Sequence, residues 1–307
     1  MTQYVYGPVP SRRLGRSLGV DLVPFKTCTY DWIYCQLGRT THKTVERREF
    51  FPVADVLDAV RDRLSAAPEP DYITLAGSGE PTLYGPIEEV IAGIKQLTRL
   101  PVAVLTNGSL LWRPEVRRAL LQADLVIPSL DAGDAALFEY VNRPHPSLSF
   151  HQMIEGLIAF RQEYQGALWL EVLLLAGVTG IEAEVRKLAR WIEQMKPDKV
   201  QLNTATRPPA EDFAMPVTSE EMSRLAAHIG GSIEVISPSG MPSENGFQAR
   251  VEEMLAMLRR RPCTLDDLVA GLGIHRSDAL KYVQQLLATG KVRIKTQKGL
   301  TYYLPDN

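Results

Sequence analysis

What this chain has little of narrows its function first. Only three cysteines occur in 307 residues, at positions 28, 35 and 263. That is too few for a disulfide framework and fits a reducing cytoplasm, where a close pair more often binds metal or does chemistry. No stretch approaches roughly eighteen uncharged apolar residues, which excludes a membrane-spanning helix. The leading MTQYVYGPVPSRRLG carries arginines but no apolar core of signal-peptide type. A cytoplasmic protein with no membrane partner is therefore expected. Internal repeats and low-complexity tracts are also missing.

A net charge of -2 hides an uneven distribution. From Arg250 onward ten Lys/Arg face six Asp/Glu, a net of +4 that leaves -6 for the rest. Any contact with a polyanion therefore falls to the tail. The composition, 45% apolar and 23% charged, is enough for one large core and a small satellite domain.

Short β-branched runs alternate with amphipathic helices over the first 205 residues. LGVDLV (18–23), YITLAG (72–77), VAVLTN (102–107), LVIPSL (125–130), LWLEVLLL (168–175) and KVQLNT (199–204) read as strands. Near-continuous apolar strands separated by helices imply a parallel sheet covered by helices. Six strands fall two short of a closed (β/α)8 barrel, and a doubly wound sheet gives nearly the same string. Gly77, Asn107, Asp131 and Asn203 stand at strand carboxyl ends, the rim where ligands bind in either fold.

The turn-rich ISPSGMPSENG reads as a linker, with domain limits expected at 1–240, 241–247 and 248–307. Beyond it come three helices, at 248–260, 264–273 and 275–290, the second capped by Thr264. KVRIKTQKGLTYYLP (291–305) alternates as a hairpin turning at Lys298-Gly299, completing a winged helix-turn-helix pattern. Alternation places Lys291, Arg293 and Lys295 on one face of the wing, opposite Val292 and Ile294 in the core.

The chemistry centres on KTCTYDWIYCQLGR (26–39), where Cys28 and Cys35 flank Trp32. Two thiolates hold a metal only with further ligands, and His42 and Asp31 are the nearest. From the residues alone, two unligated buried cysteines and a metal loop stay equally open.

Cysteines spaced x3 and then x2 after a first βα unit, with an aromatic residue before the last, resemble the signature of radical S-adenosylmethionine (SAM) enzymes, with Trp32 where a middle cysteine would stand. AGSGEPTL (76–83), LTNGSL (105–110), PSLDAG (128–133) with NRPH (142–145), EVLLLAGV (171–178) and QLNTATRPP (201–209) resemble later strand ends of a subgroup similar to enzymes that build the wyosine base of tRNA. The resemblance implies a partial (β/α)6 TIM-like barrel, a [4Fe–4S] cluster, SAM, and a reductase or a flavodoxin- or ferredoxin-type electron donor. In that family the reduced cluster cleaves SAM to a 5′-deoxyadenosyl radical, which abstracts hydrogen from substrate, as an oxidoreductase or transferase would.

Carried over, Cys28 and Cys35 are metal ligands and Tyr34 packs near the adenine. Gly77, Ser78, Gly79 and Glu80 form the turn that receives the methionine ammonium group. Asn107, Ser129 and Asp131 contact ribose or carboxylate, and Asn203 and Arg207 lie on the substrate side. The additional cysteines of the wyosine enzymes are missing, so tRNA modification is not carried over.

Trp32 admits three accounts: a disabling change in an otherwise intact enzyme, a natural loss in a scaffold kept for binding, or compensation by His42, Asp31 or Cys263. The alternative function is a non-catalytic protein that binds SAM, another small ligand or a partner. The tail domain would contact protein, peptide or RNA through its basic wing.

Overall fold

The computed structural model describes residues 4–306 apart from positions 12, 67–68, 206–208, 237–250, 253, 256, 260–261, 273, 275 and 298–299. The expected linker lies outside the described residues, as does the expected wing turn at Lys298-Gly299.

Strand β1 (Val5–Ser11) folds back antiparallel on β2 (Gly15–Val20). The loop after β2 is braced by two short parallel strands, β3 (Thr27–Cys28) and β4 (His42–Lys43). Helices and strands then alternate: α1 (Val53–Ala66), β5 (Tyr72–Leu75), α2 (Ile87–Leu97), β6 (Val102–Thr106), α3 (Pro114–Leu120) and β7 (Leu125–Pro128). Two helices, α4 (Ala135–Asn142) and α5 (Phe150–Glu163), precede β8 (Ala167–Leu174). The series ends with α6 (Glu182–Met195), β9 (Lys199–Thr204), α7 (Ser219–Ala226) and β10 (Ile233–Val235). One sheet results, ordered β1-β2-β5-β6-β7-β8-β9-β10 and parallel from β2 onward.

All six expected strands are present. The sequence pattern missed the two edge strands, β1 with its two prolines and the three-residue β10, because neither offers an uninterrupted apolar run.

Alternation along the strands sorts the two faces of the sheet. Leu18, Val20, Ile73, Leu75, Val102, Val104, Val126, Leu170, Val172, Val200 and Leu202 join the main core with the buried faces of α1, α2, α3, α5, α6 and α7. The opposite face carries a small apolar cluster of Leu14, Ala103, Leu125 and Ile127, to which no helix contributes. Helices on a single face distinguish a partial barrel from a doubly wound sheet. The sheet also curls: Tyr6 of β1 and Asn203 of β9 line one cavity, and Arg13 reaches Glu171 of β8 at 2.7 Å. Strand positions that meet this cavity include the polar Ser17, Thr74, Glu171 and Asn203 beside the apolar Leu105, Ile127 and Leu173.

The C-terminal part has its own core, built from Val251, Met254, Leu258, Cys263, Leu268, Val283, Leu286 and Tyr303 among others. It holds helical residues between 251 and 259, then α8 (Leu265–Leu272) and α9 (Arg276–Ala288). β11 (Val292–Gln297) and β12 (Leu300–Pro305) form an antiparallel hairpin. Thr264 caps α8 as expected: its hydroxyl accepts from Asp267 N at 3.2 Å, and Asp267 returns a carboxylate to Thr264 N at 2.9 Å. One expectation is corrected. Val292 is buried, but Ile294 is 38% exposed, because the hairpin covers its module's core only near its base.

Candidate functional site

A cavity of about 570 Å³ opens at the carboxyl ends of the parallel strands, within the ~300–1,000 Å³ range of small-molecule sites. Cys28, Cys35, Tyr34, Gly77, Ser78, Gly79, Glu80, Asn107, Ser129 and Asn203 all line it. Residues from five separate segments of the sequence therefore meet in one place. Arg207 lies outside the described residues.

The cysteine loop is positioned by the chain that follows α4. Asp31 N donates to Asn142 O at 3.0 Å and Ile33 N to Val141 O at 3.1 Å, while His145 N donates to Thr29 O at 2.8 Å. The NRPH segment thus serves as a frame for the loop, and Ile33 is buried beneath it with Val141 and Leu175. From the other side, buried Lys26 donates its Nζ to Cys35 Sγ at 3.2 Å and to Gly38 O at 2.5 Å.

Cys28 sits deeper. Burial, reinforced by the charge of Glu80, pushes its thiol up to about 12. It is a neutral thiol unless a cation arrives to hold the thiolate. Asn107 Nδ2 donates to Thr29 Oγ1 at 2.7 Å and lies 3.7 Å from Cys28 Sγ.

Glu80 ties the glycine turn to the next strand. Its Oε1 accepts from Thr82 N (3.0 Å), Thr82 Oγ1 (2.6 Å) and Thr106 Oγ1 (2.6 Å), and its Oε2 accepts from Asn107 N at 2.7 Å. Oε2 keeps one further lone pair for a ligand cation. Gly79 is obligatory, because a Cβ there would lie 1.9 Å from Thr27 O. At Gly77 a Cβ would strike the Asp21 carboxylate, which holds Ser78 N at 2.9 Å.

Asp131 is set back from the residues that line the cavity. Its carboxylate stands behind Tyr34, accepting from Tyr34 OH at 2.5 Å, Asn142 Nδ2 at 3.3 Å and Leu173 N at 3.1 Å. It orients the tyrosine, and burial raises its carboxyl to about 7.

Lys26, Arg13 and Glu171 were missed. Glu171 accepts from Asn203 Nδ2 at 3.0 Å and pairs with Arg13 at 2.7 Å, linking β8 and β9 to the β1–β2 turn. The available signal was a lone carboxylate in the otherwise apolar LWLEVLLL.

Trp32 lies flat against Tyr34, ring centroids 5.3 Å apart, and edge-on to Tyr30 at 5.9 Å. Its Nε1 and the Tyr30 hydroxyl are buried without a hydrogen-bond partner among the described residues. None of the three compensating candidates lines the cavity. His42 is exposed on β4, Asp31 is engaged by Arg39 (3.0 Å) and Thr40 N (2.7 Å), and Cys263 is buried in the C-terminal core. Among the described residues no three His, Cys, Asp or Glu side chains form a metal-holding group. The cavity's size and polar turn suit SAM. The donor set does not suit a cluster held by three thiolates, because an indole offers only an N–H donor.

The sequence model of the radical SAM superfamily matches residues 22–192, more than half of the chain. The chain belongs to the radical SAM superfamily. Two solved structures of similar fold, SuiB and anSMEcpe, hold SAM. A UPF0026 protein of Helicobacter pylori (strain 26695) is 35% identical over 305 residues, covering 97% of this chain and 96% of that one. A protein named GTPase Obg from Brachyspira hyodysenteriae is 38% identical over 306 residues. That match takes in 98% of this chain but spans only 45% of the relative's length. SuiB of Streptococcus suis, solved with SAM bound, superposes with a TM-score of 0.54 at 14% identity, over 71% of this chain and 50% of SuiB. This last likeness is one of fold. No helix among the described residues is long and apolar enough to cross a membrane.

Proposed function

We propose that this chain is a SAM-binding radical-enzyme scaffold whose cluster site is one thiolate short. The observation that carries the proposal is the cavity itself. It gathers Cys28, Cys35 and the Gly77–Glu80 turn on one wall, with Trp32 packed on Tyr34 between the two sulfurs in sequence. SAM binds with its ammonium group at the glycine turn, where Glu80 Oε2 has a lone pair to give, and its adenine beside Tyr34. Asn107 and Ser129 flank the ribose and carboxylate. Cys28 and Cys35 are the two thiols this chain keeps of the three that would hold a [4Fe–4S] cluster, a group that would supply the electron for SAM cleavage. Trp32 is a disabling change in this reading, since the rest of the rim is intact. The subgroup similar to wyosine-forming enzymes remains part of the proposal at the level of scaffold only.

Asn203 faces the substrate side, fixed by Glu171. A reductase or flavodoxin-like donor would supply the electron in a cysteine-restored form. The C-terminal module is read as a winged helix, and its exposed wing carries Arg293 and Lys295 for contact with a protein, peptide or RNA. GTP chemistry is not proposed: the chain has no G-x4-G-K-[ST] loop.

The second reading is a binding protein that takes SAM and cleaves nothing, favoured by the same shortage of thiolates. Equilibrium dialysis with SAM tests what both readings share. Iron loading and 5′-deoxyadenosine release by Trp32→Cys separate them: cleavage by the cysteine variant supports the enzyme scaffold, and full iron loading without cleavage supports the binding protein.

A further inference from the structure

The cavity is not closed by the barrel alone. Leu280, Lys281, Gln284, Gln285 and Ala288 of α9 line it together with the cysteine loop. Their spacing of four and eight residues is one stripe of a helix. The opposite stripe, Ala279, Tyr282, Val283 and Leu286, packs into the C-terminal core. The helix is thus committed on both faces, one to its own module and one to the cavity. Two contacts seat it on the barrel: the Arg276 guanidinium lies 4.4 Å over the Phe25 ring, and Lys281 Nζ lies 5.8 Å from the Tyr6 ring. Gln285 Oε1 is buried and has no hydrogen-bond partner among the described residues. A buried carbonyl oxygen of this kind calls for a donor.

We propose that α9 is the outer wall of the substrate site and that Gln285 and Lys281 help select what binds there. The proposal builds on the cavity being a ligand site. The substrate is a small polar molecule enclosed between barrel and C-terminal module. It presents an N–H or O–H group to Gln285 Oε1 and an anionic group toward the Lys281 ammonium. The helix that would track a groove in nucleic acid is turned inward, so any contact with a polymer falls to the exposed wing.

The test uses Cys35, inside the cavity, as reporter in the full chain. It is labelled with N-ethylmaleimide or with a maleimide carrying a large polyethylene glycol, and modification is read at each cysteine by mass spectrometry. In the wild type the large reagent should react at least tenfold more slowly than the small one. Phe25→Ala, which removes an exposed seat of the helix, should bring the large reagent's rate toward the small one's. Gln285→Trp, which fills the outer half, should slow the small reagent at least fivefold. Cys263, buried in the module core, should stay unmodified throughout and so shows that the module is folded. Equal wild-type rates for the two reagents, or rates that neither variant changes, would overturn the proposal. Because no SAM is present, a closed wall combined with no SAM binding in separate dialysis would sink the cofactor reading and leave the wall standing.

Discussion

Single atoms decide most of what this site can do. A methyl group at position 79 would occupy the space of Thr27 O, a backbone atom that cannot swing aside. Gly79→Ala should cost about 3 kcal/mol, the upper end of overpacking penalties, read as a lower urea midpoint. Asp21, beneath the same turn, gives a pH signature. Burial raises its carboxyl to about 6, against the opposing hydrogen bonds from Ser78. The folded state holds this proton more tightly than the unfolded chain does. Its contribution is therefore complete below about pH 4 and is lost as pH rises to about 6. The stability difference between wild type and Asp21→Asn should fall with a slope approaching 1.4 kcal/mol per pH unit across that window and stay flat above it. Urea titrations from pH 4 to 7 measure it. At this scale the sequence was partly legible. Cys28, Cys35 and the glycine turn were singled out through the family resemblance, whereas Lys26 and Arg13 were not, because their partners come from the fold.

Elements place these atoms by tying loops to one another. Glu80 is the clearest case: it accepts four hydrogen bonds from the turn after β5 and the end of β6. Glu80→Gln would set an amide N–H against one of those buried donors and remove a charged acceptor. A loss of about 2–3 kcal/mol is expected, together with weaker SAM binding in dialysis; unchanged stability would show that the knot does not hold the turn. Strand identity was legible because apolar runs of this length leave little alternative. The inward polar positions were less so: Ser17 precedes the expected run at 18–23, Thr74 and Glu171 sit singly in apolar strands, and only the curl of the sheet turns all three toward one space. Asp131 shows how little of a side chain's direction a strand end fixes. It stands at a strand end as expected, but the side chain turns behind Tyr34 to accept its hydroxyl.

The molecule as a whole is a curled parallel sheet with helices on one face and a second, small core that reaches back over the open end. The expectation of a separate C-terminal unit came from the turn-rich 236–246 stretch and the different pattern beyond it. Their relation was not visible, because the stripe of α9 that faces the cavity is mixed in polarity and looks like an ordinary solvated face. On the function proposed above, the scaffold lacks only the ligand displaced by Trp32. Anaerobic reconstitution of the chain and of Trp32→Cys with iron and sulfide, followed by reduction in the presence of SAM, tests it most directly. The claim predicts close to four irons per chain and 5′-deoxyadenosine release for the cysteine variant, with at least a hundredfold less product from the tryptophan form. A full cluster and equal cleavage in the tryptophan form, or no iron in either, would contradict it.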